Sequence, residues 1–176
     1  MTKKIIAFGA SSSKQSINKQ LATFAANQFQ NASVEILDLN DYEMPLYSVD
    51  KEKENGFPDL ALQFLSKIAN ADLLVISLAE HNGAYTTAFK NIFDWTSRVN
   101  VKIFQSKKML LMATSDGGRG ASSVLEIAKN RFPRHDAEIV GVFSLPNFST
   151  NFDKKEGIIN PELKAELLKI VQEIKY

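Results

Sequence analysis

The sequence predicts an open α/β sheet of parallel strands with helices on both faces, and three observations carry that prediction. Strand-sized apolar runs alternate along the chain with segments whose apolar residues recur at helical spacing. The run Ala71-Asp72-Leu73-Leu74-Val75-Ile76-Ser77 is apolar without alternation, as in a strand buried on both faces of a parallel sheet. Five strands and five helices follow one another in this way, and right-handed crossovers gather them into one sheet.

Ile5-Ile6-Ala7-Phe8-Gly9-Ala10 is the first strand, and Leu21, Ala22, Phe24, Ala25 and Phe29 mark a helix that begins at Ser16 or its neighbours. Val34-Glu35-Ile36-Leu37-Asp38-Leu39 alternates as a second strand, which Asn40-Asp41 ends. Tyr42 to Asp50 is apolar and aromatic for a surface connection, which suggests that it covers something. Lys51 to Asn55 reads as a solvated charge run. Gly56-Phe57-Pro58 precedes a second helix with Leu60, Phe64, Leu65 and Ile68 on one face. The run at Ala71–Ser77 is the expected central strand. Ala88, Phe89, Ile92, Phe93 and Trp95 form a third helix, Lys108–Thr114 a fourth strand, and a fourth helix runs to about Arg131. Glu138–Phe143 is the fifth strand, Pro146 to Lys155 a loop, and Pro161-Glu162 opens the last helix.

Composition bounds the function. At 176 residues and 44% apolar content, one domain over 1–176 is expected, large enough to bury roughly 70% of its unfolded surface. The 21 Lys plus Arg nearly cancel the 20 Asp plus Glu, leaving a formal net charge of +1 and no electrostatic case for nucleic acid. With no cysteine, disulfides, thiolate metal sites, iron–sulfur clusters and a cysteine nucleophile are excluded. No apolar run is long enough for a membrane span, and the amino terminus lacks a signal-peptide pattern, so a cytoplasmic protein is expected.

The turn Ala10-Ser11-Ser12-Ser13-Lys14-Gln15-Ser16-Ile17-Asn18 links the first strand to the first helix. Free backbone N–H groups and the positive end of the helix dipole converge there, with serine and asparagine side chains as neutral donors. No carboxylate precedes Glu35, so an external anion has no competitor in the helix's first turn. The turn is neither a P-loop, lacking Gly-Lys-Ser/Thr, nor a G-x-G-x-x-G fingerprint. Read alone, the serines fit helix capping and anion binding equally well. In an open parallel sheet, ligands bind at the carboxyl ends of the strands. The loops after the first, third and fourth strands therefore meet in one crevice.

Those three loops carry a specific resemblance. The first turn, Glu80-His81-Asn82-Gly83 leading into Phe89-Lys90-Asn91-Ile92-Phe93-Asp94-Trp95, and Ser115-Asp116-Gly117-Gly118 are together similar to the NADPH-dependent FMN reductase family. That family includes quinone, azo-dye and chromate reductases. The resemblance implies a flavodoxin-like three-layer α/β/α sandwich whose five-stranded parallel sheet has the order 2-1-3-4-5. It also implies an FMN phosphate held by Ser11, Ser13, Ser16, Ile17 and Asn18, with Ser13 standing where the family motif S-x-R-x-x-S-x-N has arginine. Glu80, His81, Asn82 and Gly83 correspond to the family's P-E-Y-N loop against the isoalloxazine ring, with His81 in place of tyrosine and Ala79 in place of proline. Ser115, Asp116, Gly117 and Gly118 correspond to its third flavin loop, and Met44-Pro45-Leu46-Tyr47 to a segment bordering the site. No metal is implied. Family members dimerise through the third helix, which implies a homodimer or tetramer with part of the Phe89, Phe93 and Trp95 surface at the interface.

The resulting expectation is an oxidoreductase that passes hydride from NADPH through FMN to a flavin, quinone or similar small acceptor. No catalytic side chain is required, because the flavin carries the chemistry. A non-enzymatic FMN-binding electron carrier is the competing class; such carriers are typically strongly acidic, unlike this balanced chain. A nicotinamide dehydrogenase using Asp38 at the ribose is a further alternative, and it lacks the glycine fingerprint.

Overall fold

A computed structural model describes residues 2–176 of the chain. Five parallel strands, β1 (Lys3–Ala10), β2 (Ala32–Leu37), β3 (Leu73–Leu78), β6 (Lys107–Thr114) and β7 (Ala137–Leu145), form one sheet in the order β2-β1-β3-β6-β7. Counted along the chain, that is the expected 2-1-3-4-5 order, with β3 central.

All six residues of β3 are buried, because helices cover both faces of the sheet. The strands' pleat sends alternate residues to opposite cores. Ile5 and Ala7 of β1 face α1 (Ile17–Ala26) and α7 (Pro161–Glu173), which contribute Leu21, Ala22, Leu167 and Val171. Ile6 and Phe8 face α3 (Asp59–Ala69), α4 (Thr87–Val99) and α5 (Ser122–Arg131), which contribute Phe64, Phe89 and Val124. Phe8 meets Phe64 edge to face with ring centroids 5.5 Å apart, and burial of each such ring contributes about 1.5–3 kcal/mol.

Gly9 sets how closely α1 sits on β1. A Cβ at this position would lie 2.2 Å from the Lys19 backbone nitrogen, so only glycine lets the helix start rest directly on the strand end.

Several connections are more ordered than the sequence suggested. The charge run is part of a short helix, α2 (Val49–Asn55), with Ser48 as its N-cap and Gly56 at φ 72 as its C-cap. Glu52 of this helix accepts from Tyr47 Oη and Arg98 Nε, which ties it to α4. Ala79–Tyr85 folds into a hairpin of β4 (Glu80–His81) and β5 (Ala84–Tyr85). The expected loop after β7 contains α6 (Phe148–Asn151) and β8 (Phe152–Asp153), which pairs with β9 (Gly157–Ile158).

Phe89, Phe93 and Trp95 of α4 are sealed in the chain's own core at 2%, 6% and 1% exposure. Their rings therefore belong to the interior and not to a subunit interface: Phe89 and Phe93 pack on Phe132, and Trp95 lies under Tyr47.

Candidate functional site

The Ser-rich turn leaves β1 at Ala10 and enters α1 at Ser16. Ser16 caps the helix: Lys19 N–H donates to Ser16 Oγ at 3.1 Å, and Gln20 N–H to Ser16 O at 3.2 Å. The N–H groups of Ile17 and Asn18, the first two helical residues, remain directed beyond the helix end. Ser11 Oγ accepts from Ser13 N–H at 3.1 Å and Ser13 Oγ from Gln15 N–H at 3.3 Å. Each of the three hydroxyls is thus oriented by a backbone donor and keeps its own proton to give outward. Helix capping by Ser16 is thus present, and it leaves the donors that an anion would use.

Asn18 is 2% exposed and its side chain faces inward. Its Oδ1 accepts from Ser77 Oγ at 2.6 Å and from Thr114 N–H at 3.1 Å, while Nδ2 donates to Thr114 O at 3.1 Å. Thr114 Oγ1 in turn donates to Leu145 O at 2.6 Å. One carboxamide thereby fixes the start of α1 to the ends of β3 and β6, and through Thr114 to β7. Only the backbone N–H of Asn18 is left to face a ligand.

The second loop is the β4–β5 hairpin, whose two-residue turn places Asn82 at φ 52 and Gly83 at φ 77. Both values lie in the left-handed region that a type I′ turn demands, and Asn-Gly is the pair that best tolerates it. The hairpin is anchored at both ends. Thr86 Oγ1 donates to Ala10 O at 2.9 Å and accepts from Phe89 N–H at 3.2 Å, so it caps α4 while bracing the first loop. Glu80 Oε2 accepts from Val124 N–H at 2.9 Å, in the first turn of α5. The N-cap of α5, Ala121, has no side-chain acceptor of its own, and Glu80 supplies it from another element. His81 is exposed at the rim.

In the third loop, Asp116 Oδ1 accepts from Ser149 N–H at 3.0 Å and from the Ser149 hydroxyl. These two donors, the hydroxyl foremost, hold the Asp116 carboxyl below its usual range. Asn147 N–H donates to Gly117 O at 3.2 Å and Phe148 N–H to Ser115 O at 3.1 Å, which docks the loop onto α6. A Cβ on Gly117 or Gly118 would meet nothing closer than 3.7 Å. Gly120, at φ 55 with a would-be Cβ 2.3 Å from Ser144 Oγ, is the glycine this loop needs for its own fold.

The three loops border one cleft of about 240 Å³ lined by Ser11, Ser13, Ser16, Asn18, Glu80 and Asp116 among others. Ile17, His81 and Ser115 also line it; Asn82, Gly83, Gly117 and Gly118 sit beyond it on the same two loops. Its two carboxylates are both engaged by backbone donors, and no lysine or arginine lines it. Lys14 lines the neighbouring groove instead. A phosphate fits this cradle through neutral hydroxyls, two backbone N–H groups and the α1 dipole. Groups that could form a metal centre are absent among the described residues.

Asn91 and Trp95 have an organising role that their spacing does not reveal. Asn91 Nδ2 donates to Met44 O at 3.1 Å and its Oδ1 accepts from Tyr47 N–H at 2.9 Å, while Trp95 Nε1 donates to Pro45 O at 2.7 Å. Together they pin the 42–50 segment onto α4. Asp38 pairs with Lys19 at 2.5 Å and caps the 3₁₀ turn at Leu39–Tyr42, so it is committed to structure and not open to a ribose.

Comparison with known proteins bears on the family and the fold. Residues 3–165 match the model of the family described as NADPH-dependent FMN reductase. A 2-hydroxy-1,4-benzoquinone reductase of a Burkholderia species is 33% identical over 69% of this chain and 66% of its own length. A Mycoplasma pneumoniae protein described only as uncharacterised is 26% identical over 87% of this chain and 93% of its own. Among solved structures, the flavoenzyme NAD(P)H:(acceptor) oxidoreductase of Paracoccus denitrificans superposes with a TM-score of 0.75 at 20% identity, covering 97% of this chain and 93% of that one. An azoreductase of Bacillus anthracis gives 0.68 at 18% identity, covering 98% of each chain.

Proposed function

The chain belongs to the NADPH-dependent FMN reductase family and is an FMN-dependent NAD(P)H oxidoreductase, and we propose that its acceptor is a quinone or a similar small, planar molecule. The name of the Burkholderia relative supports that acceptor class. The observation that carries the reading is the cradle itself: outward N–H groups of Ile17 and Asn18 beside the hydroxyls of Ser11, Ser13 and Ser16, at the carboxyl edge of the sheet.

These five residues would hold the FMN phosphate, and the hairpin Glu80–Gly83 and the loop Ser115–Gly118 would flank its ring. Bound flavin supplies the hydride chemistry. The protein's part is orientation. Glu80 and Asp116 accept hydrogen bonds from Val124 and Ser149, so the two loops are held by bonds that a ligand need not supply. No side chain in the cleft is assigned a proton-transfer role, because hydride transfer needs none.

We place residues 1–176 together as one flavin-binding unit acting in the cytoplasm, supported by a cysteine-free sequence and by the absence, among the described residues, of a helix able to cross a membrane. A homodimer or tetramer would cover Leu46 and Val49, exposed at 64% and 50% on the segment pinned to α4. The activity test is NADPH oxidation by the FMN-loaded protein with and without a benzoquinone. Acceptor-dependent turnover is expected; oxidation that quinone does not accelerate would remove the proposed acceptor class.

A further inference from the structure

Beside the phosphate cradle lies a second, larger groove of about 450 Å³, a size typical of small-molecule sites. It shares Gln15 and Ser16 with the cleft, so the two are contiguous at the phosphate end. Their electrostatics are opposite in kind. The cleft has no cation, whereas the groove is lined by Lys14, Lys19, Lys154 and Lys155. Lys19 is paired with Asp38, but Lys14, Lys154 and Lys155 take part in none of the described ion pairs.

The walls add an apolar component. Phe24 and Phe152 lie edge to face with centroids 5.8 Å apart and both border the groove. Gly157 makes this possible, since a Cβ there would sit 2.0 Å from Phe24 Cε2. The hairpin that carries two of the lysines also holds two carboxylates, and neither lines the groove: Asp153 is turned onto its own backbone, accepting from Lys155 N–H at 2.7 Å and Glu156 N–H at 3.0 Å, and Glu156 is exposed beside it. Three ammonium groups outside the described ion pairs and an aromatic wall, in a groove contiguous with the phosphate cradle, match the parts of an adenosine diphosphate moiety.

We propose that this groove binds the ADP half of a dinucleotide. The inference rests on the assignment of the adjoining cradle to a flavin phosphate. Contiguity with the cradle fits FAD, whose second phosphate would lie one anhydride bond beyond the first and so reach the lysines. The same ADP chemistry is presented by NADPH.

The test uses the full chain and the double variant Lys154→Ala/Lys155→Ala, with ADP, FMN, FAD and NADPH as probes. Ligand-observed NMR is expected to show ADP binding that the variant loses. Flavin fluorescence titration is expected to show FAD weakened about tenfold in the variant, with FMN changed less than about twofold. An FAD-specific loss identifies FAD as the source of the ADP group. An unchanged FAD affinity with a roughly tenfold rise in KM for NADPH identifies the nicotinamide nucleotide. ADP binding that is absent, or equal in both proteins, overturns the proposal. Failure of FMN to bind the unmodified chain would instead sink the cradle's assignment, and the ADP titration would still decide the groove.

Discussion

The carboxamide oxygen of Asn18 accepts the hydroxyl proton of Ser77 at 2.6 Å, across 59 residues of sequence, and both side chains are buried. This bond and the pair to Thr114 set the position of the α1 N-terminus, and hence of the cradle, relative to the other two loops. Replacing Asn18 with alanine leaves a buried hydroxyl and two backbone groups unpaired. We expect a loss of about 2–4 kcal/mol in urea unfolding, together with weaker FMN binding, although the side chain itself does not face the cleft.

Ser13→Arg makes the opposite kind of change. The cleft lacks a cation, and an arginine at this exposed position adds one beside a dianionic phosphate. FMN affinity is expected to rise about tenfold and to become more sensitive to salt, as read by flavin fluorescence at two ionic strengths.

Glu80→Ala removes the acceptor that caps α5. The expected cost is about 1 kcal/mol of stability, whereas Glu80→Gln, which keeps an oxygen for Val124 N–H, loses less. Chemical denaturation of the two variants separates the outcomes, and equal losses would argue against a capping role.

Tyr85 provides a pH-dependent signature. Burial pushes its phenol up to about 12, and its hydroxyl is buried without a partner among the described residues. A raised acid pKa favours the neutral form in the fold, so this contribution is intact below pH 10 and is lost as the pH rises from about 10 through 12. Tyrosinate absorbance should show a phenol titrating near 12 that Tyr85→Phe removes. The same variant should be about 1 kcal/mol more stable at neutral pH, because an unsatisfied buried hydroxyl disappears.

At the acid end, Asp116 is held below its normal pKa by Ser149. Its bonds to α6 are present above the ordinary carboxylate range and are lost as the pH falls through the lowered folded value. Ser149→Ala should move the Asp116 titration upward in carboxylate NMR; an unmoved titration would mean the short contact to the Ser149 hydroxyl is unimportant.

Much of this was legible in the sequence because local pattern and fold agreed. The apolar run Ala71–Ser77 announced the central strand, and the serine turn before a helical repeat announced the start of α1. Two other local signals were present but passed over: Ser48 and Gly56 bracket α2, and Asn82-Gly83 is a hairpin turn. The roles of Asn18 and Glu80 were not legible. Their partners lie 44 to 96 residues away, and a polar side chain in a ligand loop gives no local sign of whether it faces ligand or scaffold. The α4 aromatics illustrate the same limit, since helical spacing does not show that Phe89 and Phe93 are covered by Phe132 and Trp95 by Tyr47.

The central claim is that a flavin phosphate is held by neutral hydroxyls and the start of α1. Titration of FMN into the unmodified chain and into Ser16→Gly, followed by flavin fluorescence, tests it most directly. Glycine is itself a tolerated N-cap and costs the helix little, so the comparison isolates the missing hydroxyl. Stoichiometric uptake by the unmodified chain is expected, with affinity about tenfold weaker in the variant. Equal affinity in the two proteins, or no uptake by the unmodified chain, would contradict it.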